Sequence, residues 1–373
     1  MKLFILIILS ALGAQASNYD DRFCGIDPAN LWLDIVLVVD NSILMSKHLS
    51  LISSTISDLF CNGTRIGTNY NDPRSTRVSL ITYNERATVV ADLNKYQSFS
   101  DLSNGLSNIL TTRSDMPDAY LSLGLSKADE VLTAGRSNYR TNYKQMIIVF
   151  AGHYQLTTGL GPIAIADILM RKDVKIAVVD FSKGDSYFKF IASLGMYTTP
   201  TSDLSNFLVR QTFQVNCFCQ QGWKKYQPYD GYFSGLCLQV SDSLMNWSQA
   251  KLTCQNMAHN GYLATEFSRN KHWLIQSLLQ NTTDASSYHI GLNVLNGVWY
   301  WTQPAGQAPV PLYQGNQEVL WNAGYPISAA IQTAGANFID SNGKAGWQNI
   351  NSMNEIKPFV CERYTCDTDN YCA

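Results

Sequence analysis

Nine cysteines and five histidines are the side chains of this sequence best suited to chemistry, and their spacing limits what that chemistry is. Seven of the cysteines lie at or after Cys217. Zinc would need a second ligand pair and a nearby histidine beside Cys217-x-Cys219, and neither occurs. Disulfides are the better reading, and they require an oxidising compartment. The histidines, at 48, 153, 259, 272 and 289, are scattered and lack acidic neighbours at triad-like or metal-ligand spacing. No Gly-x-Gly-x-x-Gly follows a strand, and no phosphate-cradling loop, Gly-x-Ser-x-Gly elbow or His-Glu-x-x-His is found. Gly159-Leu160-Gly161-Pro162 reads as an ordinary helix start with proline. The chain is therefore read as a non-enzyme with no catalytic residues.

The N-terminus agrees with export. Lys2 precedes the apolar run Leu3–Leu9, and Ala14-Gln15-Ala16 supplies a small-x-small cleavage pattern, so residues 1–16 read as a signal peptide. The run is shorter than the roughly 20 apolar residues that span a bilayer. Sequons at Asn62, Asn246 and Asn281 fit a secreted, extracellular chain, and two of the three are expected to carry glycan.

Those residues must be held by elements, and 373 residues suffice for two domains. Apolar residues make up 46% and aromatics 12%, too much to leave unfolded. The net charge of −2, without long charge runs, argues against a nucleic-acid partner held by general electrostatics. In the first half, Leu33–Asp40 (LDIVLVVD), Met146–Phe150 and Val174–Val179 are short apolar runs typical of strands buried on both faces. Thr76–Tyr83 alternates more, and Ala87–Leu93 follows at hairpin distance as an antiparallel edge. Helical stretches are expected at Ile43–Cys61, Asp118–Thr133, Gly161–Lys172 and Asp203–Phe213. This alternation predicts an α/β doubly wound, mainly parallel sheet.

The runs Asp34–Ser42 (DIVLVVDNS) and Thr76–Tyr83 (TRVSLITY) resemble a von Willebrand factor type A domain over about residues 30–215. The resemblance implies a divalent cation held by an Asp-x-Ser-x-Ser motif, a loop threonine and a second aspartate, all hard oxygen ligands. Here Asp40 and Ser42 remain, but Leu44 replaces the last serine and Gly152 stands at the place of the second aspartate. Ser114, Asp115 and Asp118 lie in the loop that would supply the threonine, without a clear alignment. Asp40 and Ser42 are thus either a metal-site remnant or a strand-end turn in which Asp40 accepts backbone amides, the second being preferred. Calcium and magnesium are not expected as cofactors.

The second half is similar to a C-type lectin domain, α+β in fold. The residues are Cys219-Gln220-Gln221-Gly222-Trp223, Cys237, Trp247–Cys254, Gly261-Tyr262-Leu263, His289-Ile290-Gly291-Leu292, Trp299-Tyr300-Trp301, Trp347 and Pro358-Phe359-Val360-Cys361. Family calcium sites place amides or carboxylates on both sides of a cis-proline and in a Trp-Asn-Asp stretch. In this chain Tyr325 and Ile327 flank Pro326, and Trp347-Gln348-Asn349 contains no acid; Glu318 is the nearest spare carboxylate. The family's second bridge is also missing, with Ala329-Ala330 and Ser352 near the places of its cysteines. Tyr325, Pro326, Trp321, Gln348 and Asn349 are the candidate ligand-binding residues. Aromatics there, Tyr313 included, either stack on sugars and anchor partners or belong to the core.

The lectin resemblance implies bridges Cys254–Cys361 and Cys219–Cys237. Cys366 and Cys372 are neighbours in the tail and pair if their Cα atoms approach within about 7 Å. Domain ends commonly lie close, which favours Cys24–Cys217 and leaves Cys61 as the odd thiol. The rival map joins Cys24 to Cys61. The expected layout is a signal peptide (1–16), an N-terminal segment (17–29), a von Willebrand type A-like domain (30–215), a C-type lectin-like domain (216–364) and a cysteine-containing tail (365–373). The combination resembles secreted invertebrate recognition proteins of innate defence that bind glycan or extracellular protein ligands. A calcium-dependent lectin with non-standard ligands is the alternative. Oligomeric state is not legible.

Overall fold

The computed structural model describes residues 21–372 except 112–113, 157, 183–185, 228–233 and 314–316. The signal-peptide reading of residues 1–16 lies outside the described residues. The chain forms two compact units, one built on Phe23–Gln221 with the C-terminal segment from Thr365, the other on Gly222–Pro228 and Leu236–Tyr364.

In the first unit the elements are β1 (Leu33–Asp40), α1 (Leu49–Phe60), β2 (Arg77–Tyr83), β3 (Ala87–Ala91), α2 (Phe99–Thr111), α3 (Leu121–Ala134), β4 (Lys144–Ala151), α4 (Pro162–Arg171), β5 (Lys175–Asp180), β6 (Tyr197–Thr198) and α5 (Leu204–Asn216). The sheet order is β3-β2-β1-β4-β5-β6, parallel except for the antiparallel edge β3. Every residue of β1 is buried because the sheet is covered on both faces. Ile35, Leu37 and Val39 point toward α1, α2 and α5, whereas Val36 and Val38 point toward α3 and α4. That alternation is the physical reason the strand is apolar at every position from Ile35 to Val39. The sequence reading missed α2, although Leu102, Leu106 and Ile109 recur at helical spacing and are buried.

The tail from Cys366 belongs to this unit's core. Trp32, Tyr143, Cys366 and Cys372 form one buried cluster, with Phe218 and Tyr371 packed against it. Trp32 Nε1 donates to the Asp367 carbonyl at 3.1 Å.

The second unit contains β7 (Lys224–Lys225), β8 (Leu236–Asn246), α6 (Trp247–Met257), β9 (Tyr262–Leu263), α7 (Arg269–Gln280), β10 (Ser287–Leu295), β11 (Val298–Trp301), β12 (Val310–Pro311), β13 (Ala334–Ile339), β14 (Ala345–Ile350) and β15 (Ile356–Tyr364). Its main path runs β12-β11-β10-β15-β8-β7, with β13 joining β10 to β14 and β9 on β15. Asn246 caps α6 reciprocally with Gln249, satisfying donors that a helix start leaves open. Asn296 and Gly297, both at positive φ, make the two-residue turn from β10 to β11. Trp301 and Trp347 are fully buried in one cluster, and Trp299 and Trp321 pack on it.

Candidate functional site

In the first unit, ligands of such sheets lie beyond the carboxyl ends of the strands, where β1 and β4 diverge to opposite neighbours. Asp40 sits there, fully buried, at the end of β1. Its Oδ1 accepts from the Ser42 amide at 2.9 Å, and its Oδ2 accepts from the Gly152 amide at 3.1 Å. Burial raises its pKa above the ordinary carboxylate value, although these hydrogen bonds and His153 act in the opposite direction. Ser42 is buried too, while Leu44 is more than half exposed. Met45 is buried and fills the ground in front of Gly152, where a Cβ would stand 2.8 Å from the Met45 Cγ.

Two of the three loop candidates are already hydrogen-bonded. Asp118 accepts from Gln155 Nε2 at 2.9 Å and from the Tyr120 hydroxyl at 3.2 Å. Ser114 Oγ accepts from the Met116 amide. Asp115 is exposed. A hard cation wants an octahedron of oxygens. One carboxylate with both oxygens bonded to amides, beside a thioether, does not fit it.

In the second unit, the peptide between Tyr325 and Pro326 is cis. Asn349 does not face outward. It is buried, its Oδ1 accepts from the Ile327 amide at 2.8 Å, and its Nδ2 donates to the carbonyls of Ile327 and Gln332. The side chain thus holds the proline loop from beneath. Trp321 is half-buried, packs edge-on against Trp299 and Trp347, and donates from Nε1 to the Tyr313 hydroxyl. Gln348 is half-buried on β14. Tyr325 is half-buried, and Pro326, Ile327 and Tyr313 are exposed, so these form the outer face.

Glu318 is not a spare carboxylate, because it accepts the Arg269 amide and lies 3.8 Å from the same residue's guanidinium nitrogen. Ser352, near the place of a missing bridge cysteine, accepts from the Thr333 hydroxyl. The residues flanking Pro326 thus supply no carboxylate, the Asn349 amide is bonded to backbone and Glu318 is bonded to Arg269, a donor set that does not fit calcium.

The fold gives His272 an acidic partner that the spacing of the histidines does not reveal. Glu266, six residues earlier, lies 2.7 Å from its Nδ1, and both are buried. Glu266 also accepts from the Trp347 indole at 2.6 Å, from the Tyr288 hydroxyl at 2.8 Å and from Asn337 Nδ2 at 3.1 Å. Burial alone would lower His272, but the Glu266 carboxylate outweighs it and raises the ring's pKa. The next-door Lys271 is fully buried and bonds Glu362 Oε2 at 2.8 Å and Asp21 Oδ1 at 2.7 Å. Two adjacent residues of α7 thus plug into two separate buried carboxylates. The spacing Glu266-x5-His272 was the only local signal, and it matches no ligand or triad template. With Tyr, Trp and Asn filling the remaining directions, this cluster is closed and offers no open position for a substrate.

Cys24 is bonded to Cys217, Cys254 to Cys361 and Cys366 to Cys372. Cys219 and Cys237 are also disulfide-bonded, and Cys61 is an exposed free thiol. Asn62 and Asn281 are exposed just after α1 and α7, whereas Asn246 is the half-buried cap of α6.

The von Willebrand factor type A domain family matches residues 34–205, and the C-type lectin domain family matches residues 243–363. C-type lectin domain-containing protein 160 of Caenorhabditis elegans is 24% identical over 95% of this chain and 56% of its own length. The chain therefore spans little more than half of that relative. Lithostathine of Rattus norvegicus is 29% identical over 39% of this chain and 78% of its own. Among solved structures, proximal thread matrix protein 1 from the mussel byssus aligns with a TM-score of 0.42 at 20% identity, covering 51% of this chain and 47% of that one. Human lithostathine aligns with a TM-score of 0.32 at 23% identity, over 39% and 90%.

Proposed function

From a chain that joins a von Willebrand factor type A domain to a C-type lectin domain, two typically non-catalytic binding modules, we propose a secreted recognition and adhesion protein serving innate defence. Its lectin domain binds glycan or extracellular protein ligands through the face around Pro326, without calcium. The observation that carries this reading is Asn349, whose amide is spent on the backbone at Ile327 and Gln332 while Tyr325 and Ile327 flank the cis-proline. A surface of Tyr313, Tyr325 and Ile327 recognises by stacking and apolar contact rather than by shared metal coordination. The disulfides and the sequons support an extracellular site of action, and among the described residues no helix is long and apolar enough to cross a membrane.

The test is a glycan and microbial-surface binding screen of the full chain, with and without chelator. Binding that survives chelator and falls on Tyr313→Ala or Tyr325→Ala supports the proposal. Binding abolished by chelator and restored by calcium would replace it with a calcium-dependent lectin of non-standard ligands.

A further inference from the structure

We infer that the first unit carries a separate recognition site, a cationic cleft for an acidic oligosaccharide, at the amino ends of its parallel strands. This is the end of the sheet opposite Asp40. The cleft has a volume of about 690 Å³, and its walls include Asp34 from β1, residues 136–145 leading into β4, Lys172 and Asp173 before β5, and Phe218 after α5. That size lies within the roughly 300–1,000 Å³ of small-ligand sites.

Its charge is unbalanced by construction. The β1–β2 register sets Arg77 opposite Asp34, and the Arg77 Nη2 bonds the buried carboxylate at 2.6 Å. Arg140 Nη2 bonds the same carboxylate at 2.9 Å, with its guanidinium 3.5 Å from the centre of the Tyr143 ring. Two cations therefore share one anion. Asp173 is likewise shared by Lys144 at 2.5 Å and Lys175 at 3.2 Å. Lys172 pairs with Asp129, and no ion pair holds Arg136 among the described residues. Four cationic side chains (Arg136, Arg140, Lys144, Lys172) thus line this cleft against two acids (Asp34, Asp173), both of which are shared with a further cation behind the wall, Arg77 and Lys175. The whole chain, by contrast, has a net charge of −2. A concave wall concentrates such a field, and an anion is the ligand that completes it.

The rest of the lining selects the kind of anion. Ser137, Asn138, Thr141 and Gln220 present hydroxyl and amide groups matched to sugar hydroxyls, and Phe218 supplies one apolar face. A nucleic-acid strand would want a succession of stacking rings, which this cleft lacks. An oligosaccharide bearing sulfate or carboxylate groups satisfies both the charge and the polar lining.

The experiment measures binding of the full chain to four probes of similar length: a sulfated heparin hexasaccharide, a hexagalacturonate, the neutral maltohexaose, and a single-stranded oligothymidylate. The Arg136→Ala/Lys172→Ala variant removes two exposed cleft cations, and Arg86→Ala/Lys95→Ala removes two exposed cations elsewhere on the unit. The inference expects saturable binding of one or both acidic saccharides, none of maltohexaose, at least about a tenfold loss in the cleft variant and no change in the control. The two acidic probes tell a sulfate from a carboxylate ligand. Absence of saturable acidic-saccharide binding, equal losses in both variants, or tighter binding of the oligonucleotide than of either saccharide would overturn it. Because Tyr313 and Tyr325 are untouched in these variants, failure here leaves the proline-loop reading standing.

Discussion

Met45 fills the space that a side chain on residue 152 would need: a Cβ on Gly152 would stand 2.8 Å from the Met45 Cγ and 3.6 Å from Asp40 Oδ2. A side chain at residue 152 and the buried Met45 thioether therefore exclude each other as packed. Placing an acid there alone should fail. Gly152→Asp is expected to destabilise the chain by about 1–3 kcal/mol through overpacking and to bind no magnesium. Leu44→Ser/Met45→Ala/Gly152→Asp makes room and adds oxygens, and should show magnesium binding by isothermal titration. Binding by the single variant would show that Met45 is no obstacle.

The Glu266–His272 pair predicts a stability limit on the alkaline side. Burial opposes the charged ring but Glu266 prevails, so the folded pKa of His272 lies above 6.5. A raised histidine contributes stability that is complete below the unfolded pKa and is lost as pH rises through the folded one. Thermal unfolding followed from pH 6 upward should show a decline in Tm that His272→Gln removes, on a lower starting Tm. A variant whose pH profile parallels the wild type would refute the assignment.

His289 acts with the opposite sign. It is fully buried, accepts no charge easily, and donates from Nε2 to the Met245 carbonyl; burial lowers its pKa to about 4. The unfolded chain therefore takes up a proton between about pH 6.5 and 4 that the folded chain refuses. Stability should fall by about 3 kcal/mol across that interval through this residue alone. Denaturant titrations at pH 7 and pH 4 should show a smaller acid loss for His289→Gln, and an undiminished loss would exclude His289 as its source.

The Cys24–Cys217 bond closes a sequence separation of 193 residues. In the chain-entropy model such a loop is worth about 5 kcal/mol. Cys24→Ser/Cys217→Ser should lower the stability of the first unit by that order, far more than loss of the six-residue Cys366–Cys372 link. Maleimide labelling of the unreduced protein should modify Cys61 and no other cysteine; a second label would change the disulfide map.

Glycan occupancy is expected at Asn62 and Asn281, both exposed, and not at Asn246, which is half-buried at the start of α6. Peptide mass spectrometry of the protein expressed through a secretory pathway checks this, and an occupied Asn246 would refute the assignment.

What the sequence determined by itself was whatever depends on local pattern or residue type. A strand covered on both faces must be largely apolar, so Leu33–Asp40 and Met146–Phe150 are legible as strands of a doubly wound sheet. Missing ligands are equally legible, because Gly152, Leu44 and Ile327 carry no side-chain oxygen and Tyr325 carries a neutral phenol in place of an amide or carboxylate. Helix α2 escaped because Ser, Asn and Gly105 dilute its apolar stripe; Gly105 is there because Tyr96 packs against it. The rest waited for the tertiary structure. Glu266 meets Tyr288, Asn337 and Trp347 across as many as 81 positions, and Arg140 meets Asp34 across 106. No periodicity links such residues. Whether Asn349 faces a ligand or its own loop is decided by strand register and the cis-proline turn, since a side-chain amide bonds whichever partners the fold leaves within about 3 Å.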